Sequence, residues 1–230
     1  MPRRRPDDRL PRLLACAAQV FTARGYRRTQ MADVARAFGV APGTLYLYVE
    51  SKEALFHLLV ERGWEVADAP SPVLPVRTPR PGATLALLRD RLGRGGQLST
   101  LTAALHRTRV ADPRAEFAAI VRELYATVAR HQHAIRLLER SALDWPELAA
   151  IFYEDTRRTI LRQLARYLDR RIAHKLLRPV PDTAAAARLI NETIAWFAMH
   201  RHGDRDSAAI SDQAAEATVV DALVHAFAQP

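Results

Sequence analysis

Apolar residues recur at three- and four-residue intervals along almost the whole chain, and this spacing constrains the fold more than any other feature of the sequence. It is the 3.6-residue period of helices that each bury one face. Glycine, which destabilises helices, accounts for only 9 of the 230 residues. We therefore expect an all-α protein, and one long enough to bury a core without disulfides.

Clusters of proline and glycine mark the breaks between the predicted helices. The largest break runs from Ala69 to Gly82 and contains five prolines, which indicates a linker or a long loop. After this break the spacing predicts helices over residues 83–92, 98–110, 114–142 (with a break near 131 left open), 146–175, 182–201 and 207–228.

The charge of the chain is positive and is concentrated near the N-terminus. Lys and Arg number 34 against 25 Asp and Glu, and residues 1–56 hold ten of these bases against five acids. Such an excess favours an anionic partner, either a nucleic acid or a membrane surface. No apolar run approaches the roughly 18 to 20 residues of a membrane span, and Cys16 is a single cysteine. We expect a cytoplasmic protein with no membrane partner, no disulfide and no Cys-based zinc site.

The basic N-terminal segment carries the punctuation of a helix-turn-helix. A first helix ends at Gly25, a residue type that enters the left-handed region cheaply. Thr29 is expected to cap a second helix, which ends at Gly39. After a three-residue turn, Pro42 suits the first position of a new short helix. Two helices joined by a tight glycine turn make this motif.

The helix predicted over residues 42–49 has one buried side and one outward side. We expect Leu45 and Val49 to be buried, and Ser51 to cap a fourth helix that runs to about Asp68. The residues expected to point outward are Gly43, Thr44, Tyr46, Leu47 and Tyr48.

The run FTARGYRRTQMADVARAFGVAPGTLYLYVESKEALF, residues 21–56, resembles the DNA-binding domain of TetR-family transcriptional regulators, including its GTLY and SKEALF segments. The resemblance implies a helix-turn-helix domain over 1–56 and a helical effector-binding and dimerisation domain over 57–230. It also implies a major-groove recognition helix over 42–48. The residues implied to contact DNA are Arg28, Thr29, Pro42, Gly43, Thr44, Tyr46, Leu47, Tyr48 and Lys52.

Three residues depart from the family pattern. Ala41 stands where Ser is common, and Val49 stands where Phe is common. Leu47 occupies a position where a polar or aromatic residue is common. Leu47 can touch a thymine methyl group but cannot read a hydrogen-bonding edge.

The rest of the chain resembles this family in its general plan, a set of helices of which the last two form a dimer interface. Two apolar stripes on the helix over 182–201 support that reading, because one domain covers only one of them. The expected interface residues are Ala185, Leu189, Trp196, Ala215, Val219, Ala222, Leu223 and Ala226. The family also implies a mostly apolar effector pocket, for which the candidates are Phe117, Tyr125, Trp145, Phe152, Trp196 and Met199.

These features together predict a ligand-responsive regulator, a repressor that binds a palindromic operator as a homodimer and is released by a small molecule. Two other readings stay open: a helical enzyme or small-molecule carrier with an incidental basic N-terminus, and a DNA-binding activator. No Walker loop, GxSxG, HExxH or GxGxxG motif occurs, so we expect neither catalytic residues nor a cofactor.

The pairs His131/His133 and His200/His202 are each two residues apart and cannot chelate one ion from a helix. Residues 3–5, all arginine, are interpreted as a basic tail rather than a minor-groove arm.

Overall fold

The computed structural model describes residues 6–63, 72–95, 98–207 and 209–229, and these residues form helices joined by short connections. No strand occurs among them; two isolated bridges pair Val49 with Val76 and Leu177 with Ala228. The predicted all-α class is confirmed. The α-helices are α1 Pro6–Arg24, α2 Met31–Phe38, α3 Pro42–Leu45, α4 Lys52–Arg62, α5 Ala83–Gly95, α6 Ser99–His106, α7 Pro113–Ala142, α8 Pro146–Ala149, α9 Arg158–Ala173, α10 Thr183–Ala198 and α11 Asp212–Phe227.

Several helix boundaries differ from the sequence-based expectation. Helix α7 continues through residue 131 without a break, and α6 ends at His106 rather than near 110. A π-helical segment, Ala150–Arg157, joins α8 to α9, and a 3₁₀ turn, His200–Gly203, follows α10. Helix α4 ends at Arg62, and residues 64–71, over which its extension to Asp68 was expected, lie outside the described residues, as do residues 3–5.

The chain divides into two compact units, and the functional division expected after residue 56 stays a prediction. The first unit takes in residues 1–92 together with 133–154, and the second takes in 93–132 together with 155–230. Helix α7 therefore contributes residues to both. The first unit has its own core, which includes Leu13, Phe21, Leu45, Phe56, Leu88 and Leu138.

The proline-rich segment, residues 72–82, is bonded to the first unit's helix-turn-helix rather than being an unattached linker. The Val76 amide donates to the Tyr48 carbonyl at 2.8 Å, and the Glu50 amide donates to the Val76 carbonyl at 2.9 Å. Two further bonds join Thr78: its amide donates to Glu50 Oε2 at 2.8 Å, and its hydroxyl donates to Ser51 Oγ at 2.9 Å. These bonds fix the segment beside the residues that connect α3 to α4.

The second unit is built from α6, α7, α9, α10 and α11 around one apolar core. A buried ion pair lies at the edge of that core, where Arg171 Nε donates to Glu116 Oε1 at 2.7 Å. Arg171 Nη2 also donates to the Ala104 carbonyl at 2.7 Å, and the Tyr167 hydroxyl donates to Glu116. Arg171 is 2% exposed. Its charge is therefore matched by a carboxylate and a helix-end carbonyl, as burial of an ion requires.

Neither a membrane-spanning helix nor a group of metal-ligating side chains occurs among the described residues. No helix in this part of the chain is both long enough and apolar enough to cross a membrane. In the same residues, no three His, Cys, Asp or Glu side chains are grouped so that they could hold a metal ion.

Candidate nucleic-acid interface

The turn after α1 has the glycine geometry that the sequence predicts. Gly25 has φ +84°, and its amide donates to the Phe21 carbonyl at 2.7 Å. A Cβ at this position would also lie 3.2 Å from the carbonyl oxygen of Arg140, so a side chain would be crowded as well as strained. The expectation for Gly25 is confirmed.

The N-terminus of α2 is capped by a residue other than the expected one. Gln30 is the N-cap, and its amide donates to Asp33 Oδ2 at 3.0 Å in a capping box. Thr29 is 1% exposed and donates its hydroxyl to the Gly25 carbonyl at 2.7 Å. The prediction that Thr29 caps α2 is therefore wrong, and this residue, which the family resemblance implies to contact DNA, is buried.

The recognition element is a short helix followed by turns. Gly39 has φ +76° and closes α2, and Pro42 occupies the first turn of α3, as expected. Helix α3 ends at Leu45, while residues 46–48 continue as turns instead of completing the helix predicted to residue 49. Leu45 and Val49 are fully buried, which confirms their role as the inner side of this element.

The outer side of the recognition element exposes glycine, tyrosine and leucine. Tyr46 is 50% exposed and Leu47 is 63% exposed. Gly43 is exposed, and a Cβ placed on it would meet no atom within 4 Å. Thr44 is half-buried. The expectation that Tyr48 also points outward is wrong, because it is 3% exposed and packs edge-on against Phe38.

The N-terminus of α4 is capped as predicted, and its first residue, Lys52, contacts the loop after α1. Ser51 Oγ accepts from the Ala54 amide at 3.1 Å. Lys52 Nζ donates to the Tyr26 carbonyl at 3.2 Å and lies 4.6 Å from the centre of the Tyr26 ring. Lys52 therefore joins α4 to the loop after α1, a contact that periodicity alone does not reveal.

An aromatic cluster supports this loop from inside the first unit. The Tyr26 ring stacks on Trp145 at 4.6 Å and lies 4.8 Å from Phe56. The Tyr26 hydroxyl donates to Glu53 at 3.0 Å. The pKa of Tyr26 is raised, mainly by burial and to a smaller extent by this hydrogen bond. Trp145, expected to line the effector pocket, therefore packs behind the helix-turn-helix.

Carboxylates partner three of the arginines near the predicted interface. Arg24 and Arg36 both pair with Asp33, at 2.8 and 3.4 Å, and Arg28 lies 3.6 Å from Asp144. The backbone amide of Gln30 lowers the pKa of Asp33 most, and the two arginines lower it further. The side chain of Arg28 remains 70% exposed, so its guanidinium is still accessible to an anion.

The residues expected to line one effector pocket divide between the two units. Phe117 stacks on Tyr167 and contacts Phe227 in the core of the second unit. Tyr125 donates its hydroxyl to the Phe197 carbonyl at 3.3 Å, and Met199 is 1% exposed. Trp196 is 39% exposed, and Phe152 belongs with Trp145 to the first unit. Which of these candidates contact an effector stays a prediction.

Two cavities in the second unit lie along α7 and α11. One of about 590 Å³ opens between Ala118 of α7 and Val220 of α11. A second, of about 320 Å³, is lined by Tyr125 and Gln132 of α7. Gln213 lines both cavities. Of the predicted effector residues, Tyr125 lines the second of these cavities, and Trp145 lines a smaller one of about 130 Å³ in the first unit.

The predicted dimer residues differ in exposure between the two helices. Ala185, Leu189 and Trp196 of α10 are exposed, with Leu189 at 58%, while Ile190 and Ile194 are fully buried. This arrangement confirms two apolar stripes, one covered and one uncovered. On α11, Ala222 and Ala226 are exposed. The expected interface residues buried within the chain itself are Ala215, Val219 and Leu223.

The first unit thus has two helices joined by a tight glycine turn, an exposed face on the second, and a capped helix start beside it. This geometry defines a helix-turn-helix protein. Residues 13–59 match the family model for bacterial regulatory proteins of the tetR family, and residues 115–229 match the AefR-like transcriptional repressor C-terminal domain. The chain belongs to the TetR family of transcriptional regulators.

Individual relatives agree with this assignment. The uncharacterized HTH-type transcriptional regulator YhgD of Bacillus subtilis (strain 168) is 35% identical over 89 residues, which are 36% of this chain and 47% of that protein. The chain spans less than half the length of the curated relatives that it matches.

Solved structures with the same fold cover nearly the whole chain. The ketosteroid transcriptional regulator KstR2 of Mycobacterium tuberculosis has a TM-score of 0.60 and 18% identity over 98% of both chains. AibR in complex with isovaleryl coenzyme A and operator DNA has a TM-score of 0.50 and 19% identity, over 95% of this chain and 97% of that one.

Proposed function

We propose that the protein is a transcriptional repressor that binds a palindromic operator as a homodimer and is released by a small molecule, without catalytic activity of its own. The observation that carries the proposal is the exposed face of the recognition element, directly followed by the capped N-terminus of α4. An exposed face of this kind on a rigid, buried base is suited to the major groove. We place the protein in the cytoplasm, where its operator would lie.

In this proposal the recognition element divides its contacts between bases and backbone. Gly43 and Pro42 allow the close approach of the main chain, while Thr44 and Leu47 meet base edges. Tyr46, Arg28 and Lys52 contact sugar-phosphate groups, which orient the protein without reading sequence. Thr29 and Tyr48 leave the set of contacts and act as buried supports.

We place the dimer interface on the uncovered stripe of α10 and the exposed alanines of α11. Ala185, Leu189 and Trp196 form the stripe, and Ala222 and Ala226 allow a second helix to approach closely. A two-fold axis through these helices would present two recognition elements to successive major grooves, about 34 to 36 Å apart.

We propose that the effector binds in the second unit, along the groove between α7 and α11. Two cavities open along this groove and both are lined by Gln213, which supports placing the effector site there. The AibR structure contains both isovaleryl coenzyme A and operator DNA, so a regulator of this fold can hold an acyl-coenzyme A. Isovaleryl coenzyme A is therefore a reasonable first compound with which to challenge the protein–DNA complex.

The DNA-binding proposal is tested with two leucines of the same unit that are equally exposed. Leu47 is 63% exposed and Leu143 is 65% exposed. The purified protein is mixed with sheared genomic DNA, the retained fragments are sequenced, and their affinities are measured. We expect Leu47→Ala to weaken binding to the selected fragments by about 1–3 kcal/mol and Leu143→Ala to leave it unchanged. Failure of the wild-type protein to retain any fragment would favour the carrier or enzyme reading instead.

A further inference from the structure

The proline-rich segment, residues 72–82, is held in register with the end of the recognition element. Val76 lies in a parallel bridge with Val49, and main-chain bonds of 2.8 and 2.9 Å tie it to Tyr48 and Glu50. Thr78 then reaches the hydroxyl of Ser51, the N-cap of α4. Arg77 is therefore fixed between two residues that are both anchored to the connection from α3 to α4.

The segment carries positive charge and no acidic residue. Arg77 and Arg80 are both exposed, as is Thr78 between Arg77 and Pro79. Neither arginine forms an ion pair with any residue that the structure describes. Proline restricts the unbound chain, so the two guanidinium groups are presented on a backbone that loses little further freedom on binding.

This situation differs from that of arginines in the helix-turn-helix itself. Arg24 and Arg36 share Asp33, and Arg28 lies near Asp144, so part of their positive charge is already balanced. No described carboxylate forms an ion pair with Arg77 or Arg80, although Glu50 Oε2 accepts from the Thr78 amide between them, and both exposed guanidinium groups remain accessible to an outside anion. They lie on a segment bonded to Ser51, where the N-terminus of α4 also favours negative charge.

We infer that the proline-rich segment is part of the DNA-binding surface, and that Arg77 and Arg80 each contact a phosphate next to those reached from the recognition element and the start of α4. The inference rests on the proposed function, since it assigns further residues to the same DNA contact. The segment thereby adds two backbone contacts that the helix-turn-helix motif does not supply. Because phosphates are common to all sequences, these contacts raise affinity without adding sequence preference.

The test measures how DNA affinity depends on salt. A fluorescent mixed-sequence DNA duplex is titrated with full-length protein at several salt concentrations, and log K is plotted against log salt. Each phosphate contact contributes about 0.9 to the slope, so Arg77→Gln and Arg80→Gln should each lower its magnitude by about 0.9, and the double variant by about 1.8. Arg77→Lys should keep the wild-type slope, because the charge is retained.

Arg178→Gln is the matched control. Arg178 is also exposed and next to proline, but it belongs to the second unit. Its loss changes the net charge equally and should leave the slope unchanged. Equal slopes for Arg77→Gln and wild type, or an equal fall for Arg178→Gln, would overturn the inference. A fall in affinity with no change of slope would also overturn it, because the segment would then act only as a support. Absence of salt-dependent binding by the wild-type protein would instead refute the proposed function.

Discussion

Single residues of the recognition element differ in whether they serve the fold or the surface. Leu45 and Val49 are fully buried and fasten the element to the core, while Tyr46 and Leu47 lie largely in solvent. Gly43 belongs clearly to the surface, because it is exposed and a Cβ placed on it would meet no atom within 4 Å. A substitution there should change the surface without changing the fold.

We predict that Gly43→Leu abolishes operator binding and leaves the thermal unfolding midpoint unchanged or slightly higher. A side chain at this position would hold the main chain away from the groove floor, while replacing a helical glycine favours the helix by up to about 1 kcal/mol. Binding is measured by fluorescence anisotropy, and folding by circular dichroism. Gly93→Leu is the control, since Gly93 in α5 also has open space around it. Loss of helicity in Gly43→Leu would indicate a structural glycine instead.

Residues set by local geometry were predictable from the sequence, and residues covered by distant elements were not. Gly25, Gly39 and Ser51 all have the conformation or bond that their positions require. Tyr48 was expected outside because helical spacing assigns it to a face, but spacing does not show that α2 covers that face through Phe38. Thr29 was misplaced for a different and local reason, because its hydroxyl donates to the Gly25 carbonyl four residues earlier instead of capping α2.

At the scale of elements, the start of α2 depends on the ionisation of Asp33. Its pKa is lowered in the folded protein, chiefly by the Gln30 amide. A lowered pKa means that the ionised carboxylate stabilises the fold above its unfolded pKa of about 3.9, and that this stabilisation is lost as pH falls through the folded value. We predict that Asp33→Asn lowers the Tm at neutral pH and that the difference from wild type narrows below about pH 4. A pH-independent difference would contradict this account.

The junction of α6, α7 and α9 depends on the buried pair of Glu116 and Arg171. We predict that Arg171→Met destabilises the protein by about 3–5 kcal/mol, because Glu116 is then left charged and without its main partner. Replacing both, as Glu116→Leu with Arg171→Met, should recover much of this loss, since no unpaired charge remains. Urea denaturation of the three proteins measures both effects. A double variant no more stable than Arg171→Met would contradict this account.

The dimer proposal predicts different effects for a charge placed on α10 and a charge placed on α11. Leu189→Glu places a charge on the uncovered stripe of α10 and should give folded monomers by light scattering. Leu223→Asp places a charge in the protomer core, where Leu223 is 5% exposed, and should instead lower the Tm. Arg188→Glu is the control for a charge change next to the stripe. A Leu189→Glu variant that remained dimeric would place the interface elsewhere.

The positions of the helices were predictable from the sequence, but the contacts between elements were less so. Periodicity located α5, α7, α10 and α11 because each buries one stripe of regularly spaced apolar residues. The proline-rich segment was expected to be a linker or a long loop, since proline excludes helix. Its attachment uses the main-chain groups of Val76, which leave no mark on the sequence pattern. The π-helical stretch 150–157 was missed likewise, because its apolar spacing still fits an ordinary helix.

For the whole molecule, effector control implies reciprocity. An effector that lowers operator affinity 100-fold corresponds to about 2.7 kcal/mol of coupling, and operator DNA must weaken effector binding by the same factor. We predict this symmetry for a compound that releases the complex, with isovaleryl coenzyme A as the first trial. Calorimetric titration of the compound into free and operator-bound protein measures it. A compound that bound both forms equally could not act by release.

The division of α7 between the two units limits how this protein can be recombined. The core behind the helix-turn-helix includes Leu137 and Leu138 of α7 and Leu148 of α8, which are distant in sequence from the residues they support. An exchange of the first 60 or so residues with those of a relative would place foreign side chains against these native ones. Exchanges that preserve packing would have to carry residues 133–154 as well. New operator specificity is therefore more accessible through changes on the exposed recognition face than through transplantation of an N-terminal cassette.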